Sequence, residues 1–186
     1  SEGFRGAVAN PGATINGGVS SVDPTDVVIP AKSNADSLWN YELGMKGTFL
    51  DGKLGANVSL FYIDWDGFQY FARRRSDASG FTTNVGKAIS QGLEGEFVYL
   101  PNANLELGLN FSAIKAEIDQ ITAEEEFMTG GSEGDRLVSP KFSAVAFAQY
   151  TGPLSALDGY DWFVRGDIQY VSDMPNAFPN TAGQGT

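Results

Sequence analysis

Between Trp39 and Trp65 apolar and polar side chains alternate with a period of two, interrupted by one short turn. Trp39, Tyr41, Leu43, Met45 and Phe49 share one parity, and Asn40, Glu42, Lys46 and Thr48 share the other. After Leu50-Asp51-Gly52-Lys53 the alternation resumes, with Leu54, Ala56, Val58, Leu60 and Tyr62 set against Gly55, Asn57 and Ser59. Successive side chains on a strand point to opposite faces, so this pattern predicts an antiparallel hairpin with one apolar and one polar face. Asp51-Gly52 is the dipeptide of a two-residue hairpin turn. Each strand runs to about ten residues or slightly more, the length a tilted strand needs to cross a bilayer.

The same alternation recurs downstream. Val85, Ile89, Leu93, Phe97 and Tyr99 share a parity, opposed by Asn84, Gly86, Ser90, Gly92, Glu94 and Glu96. A short "PNAN" turn leads into Leu105, Leu107, Leu109, Phe111 and Ala113, opposed by Glu106, Gly108, Asn110 and Ser112. Phe142, Ala144, Ala146, Ala148 and Tyr150 form a weaker apolar face, and Tyr160, Trp162, Val164, Ile168 and Tyr170 another. "SEGFRGAV" reads as the end of an earlier strand. Residues 9–36, 66–81 and 119–140 read as long polar loops, and the remaining links are short or moderate. The long loops all fall at one end.

This pattern predicts an all-β chain: a meander of long antiparallel hairpins forming about six or seven strands of a transmembrane β-barrel, with short periplasmic turns and long external loops. Two aromatic bands support that geometry. Trp39, Tyr41, Tyr62 and Tyr170 lie near the long-loop end, and Phe49, Phe97, Tyr99, Tyr150, Tyr160 and Trp162 near the short-turn end, as two membrane interfaces select. The Trp39/Leu43/Leu60 face is then assigned to lipid and the Glu42/Lys46/Asn57 face to a wet lumen. A soluble β-sandwich gives similar alternation, but its strands run to about five or six residues.

Composition narrows the function. A net charge of −11 argues against nucleic acid, which needs a basic footprint. With no cysteine there are no disulfides and no thiolate metal sites, and with no histidine the usual general base is missing. No catalytic residue, cofactor or metal site is assigned. Glu94 and Glu96 read as lumen lining rather than as a catalytic carboxylate pair. Glu124-Glu125-Glu126 lacks the Asp-x-Asp spacing of a calcium loop, and Asp64 and Asp66 read as polar caps at the membrane edge. Arg73-Arg74-Arg75 is the one basic cluster along the chain, with Tyr70 and Phe71 beside it. Tyr70, Arg73, Arg74 and Arg75 are therefore the candidate ligand-binding residues, suited to an anionic ligand such as a ferric chelate or to the phosphates of lipopolysaccharide. A solvated loop charge run is the blander reading of the same residues. No apolar run reaches the roughly 18 residues of a membrane-spanning helix. The chain opens in mid-pattern at Ser1 and closes on "NTAGQGT", which reads as a piece of a longer chain.

Three stretches, "SEGFRGAV", "LWNYELGMKGTFLDGKLGANVSLFYIDWDGFQ" and "TNVGKAISQGLEGEF", resemble the barrel region of TonB-dependent outer-membrane receptors. "GDRLVSPKFSAVAFAQY" resembles the entry to one of that family's late strands. The resemblance implies that residues 1–186 are part of the later half of a barrel of about 22 strands closed by a plug, with plug and final strands lying outside the chain. It further implies an outer-membrane receptor in a Gram-negative bacterium that takes up a scarce small molecule, siderophore-iron or similar, by energy-coupled transport. Its implied partners are outer-membrane lipid and lipopolysaccharide, the ligand, and a TonB-type energy transducer engaged by a segment outside this chain. A non-transport barrel, adhesin or porin-like, and a soluble β-sandwich binding module are the alternatives.

Overall fold

The computed structural model describes residues 1–156, 159–176 and 178. The "NTAGQGT" tail and part of the link after residue 153 lie outside the described residues. One antiparallel sheet holds seven strands in chain order. They are β1 (Glu2–Arg5), β2 (Asp36–Phe49), β3 (Leu54–Arg73), β4 (Gly80–Tyr99), β5 (Leu105–Gln120), β6 (Phe142–Pro153) and β7 (Asp161–Val171). A single short helix, α1 (Ala123–Thr129), lies between β5 and β6. Each strand pairs with the next, so among the described residues the sheet is a continuous meander with β1 and β7 at its edges.

The register keeps the two faces distinct over the middle of the sheet. Leu43 pairs with Leu60 and Leu60 with Leu93, while Lys46 pairs with Asn57 and Asn57 with Glu96. Leu43, Met45, Leu60 and Ile168 stand largely exposed on the apolar face, because a single sheet gives them nothing to pack against. Aromatic pairs bound this band. Tyr41 meets Tyr62 and Phe142 meets Tyr170 at the long-loop end, and Tyr150 meets Trp162 at the short-turn end; Phe97 reaches from that end to stack on Phe111 within the band. From Tyr41 to Phe49 the rise, at about 3.4 Å per residue and a tilt of about 40°, is about 20 Å, near the height of an outer-membrane hydrocarbon layer.

Three expectations change. The turn after β2 is wider than a two-residue hairpin: Phe49 pairs with Leu54, and Leu50, Asp51 and Gly52 all take positive φ. Residues 66–81 are not a loop. β3 continues to Arg73 and β4 restarts at Gly80, so only residues 74–79 turn. The polar sequence there concealed strands that project beyond the apolar band.

The extended hairpin also reverses its faces. Pairing is continuous at Asp66–Lys87 and Phe68–Val85 but is broken between them, at Gly67 and Gly86. Gly67 has φ +64°, a conformation glycine adopts without steric cost. Across this break parity inverts. Val85, expected on the lipid face with Ile89, is instead fully buried with Ile118 and Phe178. Gly86 has no room for a side chain, since a Cβ would sit 2.1 Å from the Gln120 carbonyl oxygen.

The core therefore lies at the long-loop end, beneath folded loops. Val27 and Ile29 from the loop before β2 pack on Ala72 and Phe81 of the β3–β4 hairpin. Polar contacts fix that loop. The Asn10 side chain donates to the Thr82 carbonyl and accepts from its N–H, both at 2.8 Å, copying a strand partner. Glu125 links α1 to the break: it closes a capping box with Thr122 and accepts from the Gly86 N–H at 3.0 Å. The acid run that resembled a weak calcium signal is thus partly a helix N-terminus.

Candidate functional site

Below the break the polar face carries Asn57, Ser59, Glu94, Glu96, Asn110 and Ser112 around a hollow of about 350 Å³. Glu94 and Glu96 lie on one strand face, and Ser112 donates to Glu94 at 3.5 Å. These carboxylates, amides and hydroxyls make the surface a hydrated wall.

Nearer the loops the same face turns apolar. Leu38, Ile63, Trp65, Phe68, Tyr70 and Leu137 line a hollow of about 330 Å³. The face reversal at Gly67 makes this possible, because it brings Phe68 and Tyr70 to the side that already holds Trp65 and Ile63. Trp65 and Phe68 meet edge to face at 4.8 Å. Tyr70 stacks on Phe178 at 4.5 Å, and Phe178 also lines the hollow.

One cation stands beside this hollow. The Arg5 guanidinium lies 4.9 Å from the Trp65 ring centre and within reach of Phe68. It pairs with buried Asp36, which also accepts from the Trp65 indole N–H at 3.1 Å. Half of the Arg5 side chain remains exposed. A planar cation on aromatic faces, fixed by a buried carboxylate, suits an anionic or aromatic guest.

The four residues singled out in the sequence are not brought together. Tyr70 lines the hollow. Arg73 sits at the end of β3 with the exposed parity of Phe71. Arg74 is buried: it donates to the Gly18 carbonyl at 2.5 Å and grips Asp77 through two nitrogens at 3.0 and 2.6 Å. Hydrogen bonds from Arg74 and from the Ser79 backbone hold the Asp77 carboxyl well below the usual range. Arg74 thus locks the preceding loop onto the β3–β4 turn. Arg75 is exposed beyond it.

Arg5, Trp65 and Phe68 were missed. Isolated Gly67 in an alternating run is the available signal, since such a glycine marks a bulge and hence a parity change.

The chain matches the family described as "TonB dependent receptor-like, beta-barrel" over residues 1–186. Its fold is similar to that in the crystal structure of BauA, the ferric preacinetobactin receptor from Acinetobacter baumannii, with a TM-score of 0.58 and 20% identity. That likeness covers 92% of this chain and 22% of the receptor, so the chain spans less than a quarter of its neighbour's length. The two-faced wall, its girdles and the extent of the match lead to one conclusion: the chain belongs to the β-barrel family of TonB-dependent receptors.

Proposed function

We propose that this wall belongs to an outer-membrane receptor of a Gram-negative bacterium that captures a scarce small molecule, siderophore-bound iron or a similar chelate, and imports it by energy-coupled transport. The observation carrying the reading is the apolar hollow beside Arg5 on an otherwise hydrated luminal wall. A hole of about 330 Å³ falls in the range of small-molecule sites. An adhesin or a porin-like barrel needs the same lipid face but has no use for such a hollow. In this reading Arg5, Trp65 and Tyr70 meet the ligand, and exposed Arg73 and Arg75 draw anionic ligand toward the mouth. Arg74 holds the loop layer. Coupling to an inner-membrane energy source, through a segment outside this chain, completes the cycle.

The test is uptake of a panel of labelled ferric chelates by cells carrying the full-length receptor in place of their own. At least one chelate should enter only when the energy-transducing partner is present, and Trp65→Ala with Tyr70→Ala should weaken its binding without loss of folded receptor. Entry that ignores the energy source would favour a porin-like barrel. Binding untouched by the double change would move the ligand away from this hollow.

A further inference from the structure

Above the start of β2 the β3–β4 hairpin continues without a third strand on the β2 side. β2 stops pairing with β3 at Ser37–Asp66, whereas β3 and β4 stay paired as far as Arg73–Gly80. In an antiparallel pair, residues that exchange hydrogen bonds with their partner alternate with residues whose N–H and C=O point away from it. The Arg74 N–H donates to the Ser79 carbonyl at 2.9 Å, which fixes the phase. Ala72 and Tyr70 face β4, and Arg73, Phe71 and Gln69 face outward. Two sets of contacts agree with that phase. On this edge the Gln69 N–H donates to Asp36 at 3.3 Å and the Gln69 carbonyl accepts from Arg5 at 3.4 Å. On the opposite edge Thr82 exchanges its bonds with the Asn10 side chain.

Phe71 and Arg73 differ from Gln69. Among the described residues no hydrogen bond reaches their outward backbone groups. Phe71 is 59% exposed, with its ring seated across Gly80, where a Cβ would meet it at 2.5 Å. Arg73 is exposed on the same face, and the ion pair of this turn belongs instead to Arg74 and Asp77. A bare strand edge is a template for another chain, and a charge is a common guard against that. A guard accounts for Arg73 but not for an uncovered aromatic ring two residues before it.

We propose that the edge of β3 at residues 71–73 is a docking site for an extended peptide that adds as a strand, with an apolar side chain opposite Phe71 and a carboxylate opposite Arg73. The inference goes beyond the import reading and does not need it. An antiparallel strand exchanges two bonds with Phe71 and two with Arg73. Cross-strand neighbours on one face touch, so such a ligand reads acid, any residue, apolar residue in its own chain order. Drawing in a small anion uses only the charge of Arg73. The alternating donors and acceptors beside that charge fit a polypeptide.

The test uses the full-length receptor in detergent and the acetylated, amidated pentapeptide Thr-Glu-Thr-Val-Thr. Hydrogen exchange read by mass spectrometry should show residues 69–75 exchanging faster than the mid-sheet in the receptor alone, and slowing saturably as peptide is added. The same peptide N-methylated at Glu and Val keeps its side chains but loses the two ladder donors, and should give no slowing. Lys for Glu in the peptide, or Arg73→Glu in the receptor, should each raise the half-saturating concentration about tenfold, and the two changes together should restore it. Unchanged exchange over β2 and β5 confirms that the variant is folded. Protection of residues 69–75 without peptide would mean that another part of the full-length chain covers the edge, and overturns the proposal. Equal slowing by the N-methylated peptide overturns it too, as does no slowing by the parent peptide at its solubility limit. Failure of the paired charge changes to restore binding overturns the acidic assignment.

Discussion

An arginine on the apolar face should cost most at the middle of the band and least at its rims. On β3 the band runs from Leu54, beside Phe49 and Tyr99, to Tyr62, beside Tyr41. Val58 lies midway, paired with Met45 and Gly95; Leu60 lies one step nearer the girdle, paired with Leu43 and Leu93. On a barrel's lipid face arginine costs about 2–4 kcal/mol at the midplane and about 0–1 kcal/mol at an interface. Val58→Arg should therefore lose about 3 kcal/mol, Leu60→Arg about 2 and Tyr62→Arg about 1 or less. The decline follows from how far the side chain must reach to bring its head into water. On the other face Asn57 stands opposite Glu96 and Lys46, and Ser59 opposite Glu94. An arginine at either position stays hydrated and gains a carboxylate, so its effect should stay within about 1 kcal/mol. Denaturant titration of the full-length receptor folded into lipid vesicles measures all five. A flat profile across 58, 60 and 62, or a loss at 57 equal to that at 58, would refute the assignment of two solvents to two faces.

Three further outcomes are expected. Gly86→Ala should lower the midpoint of unfolding by an amount equivalent to about 1–3 kcal/mol, because the new methyl would meet the Gln120 carbonyl at 2.1 Å; no change in midpoint would mean that the strand break is not tight. The Asp77 carboxyl is held below its ordinary value by Arg74, so the stability it contributes is present above an unfolded value of about 4 and is lost as pH falls through the folded value. A spin label at Ser21, next to the Ser20–Ser76 contact, should keep constant mobility from pH 8 to about 4 and loosen only below; loosening between about pH 5 and 7 would overturn the lock. With no cysteine in the chain, Ala78→Cys should react with an impermeant thiol reagent on intact cells and Gly52→Cys should not, and the reverse would invert the barrel.

The mid-sheet was legible in the sequence because hydrophobic alternation there has one cause, the difference between two solvents. Strands β2 to β7, their order and both girdles follow from it. Beyond the band that cause disappears: both faces of the β3–β4 extension meet protein or water, so "DGFQYFARRRSDASGF" carries the polarity of a loop while forming strand. The site was hidden for a related reason. Parity counted from Trp65 through Phe68 gives the wrong face unless Gly67 is read as a break, and Arg5 reaches Trp65 only through the β1–β2 pairing and Asp36, over a long sequence separation. Arg74 shows the converse. Three adjacent arginines look alike in sequence, yet tertiary contacts bury one of them and leave its neighbours exposed.

The central claim is that one face of this sheet lies in lipid and the other in a hydrated lumen. Nitroxide labels placed singly at Asn57, Val58, Ser59, Leu60 and Phe61 of the full-length receptor in bilayers test it most directly. Accessibility to oxygen, which partitions into lipid, should peak at 58 and 60. Accessibility to a water-soluble nickel chelate should be negligible there and higher at 57 and 59. Labels at 58 and 60 shielded from both reagents would place that face in a protein core, and would contradict the account.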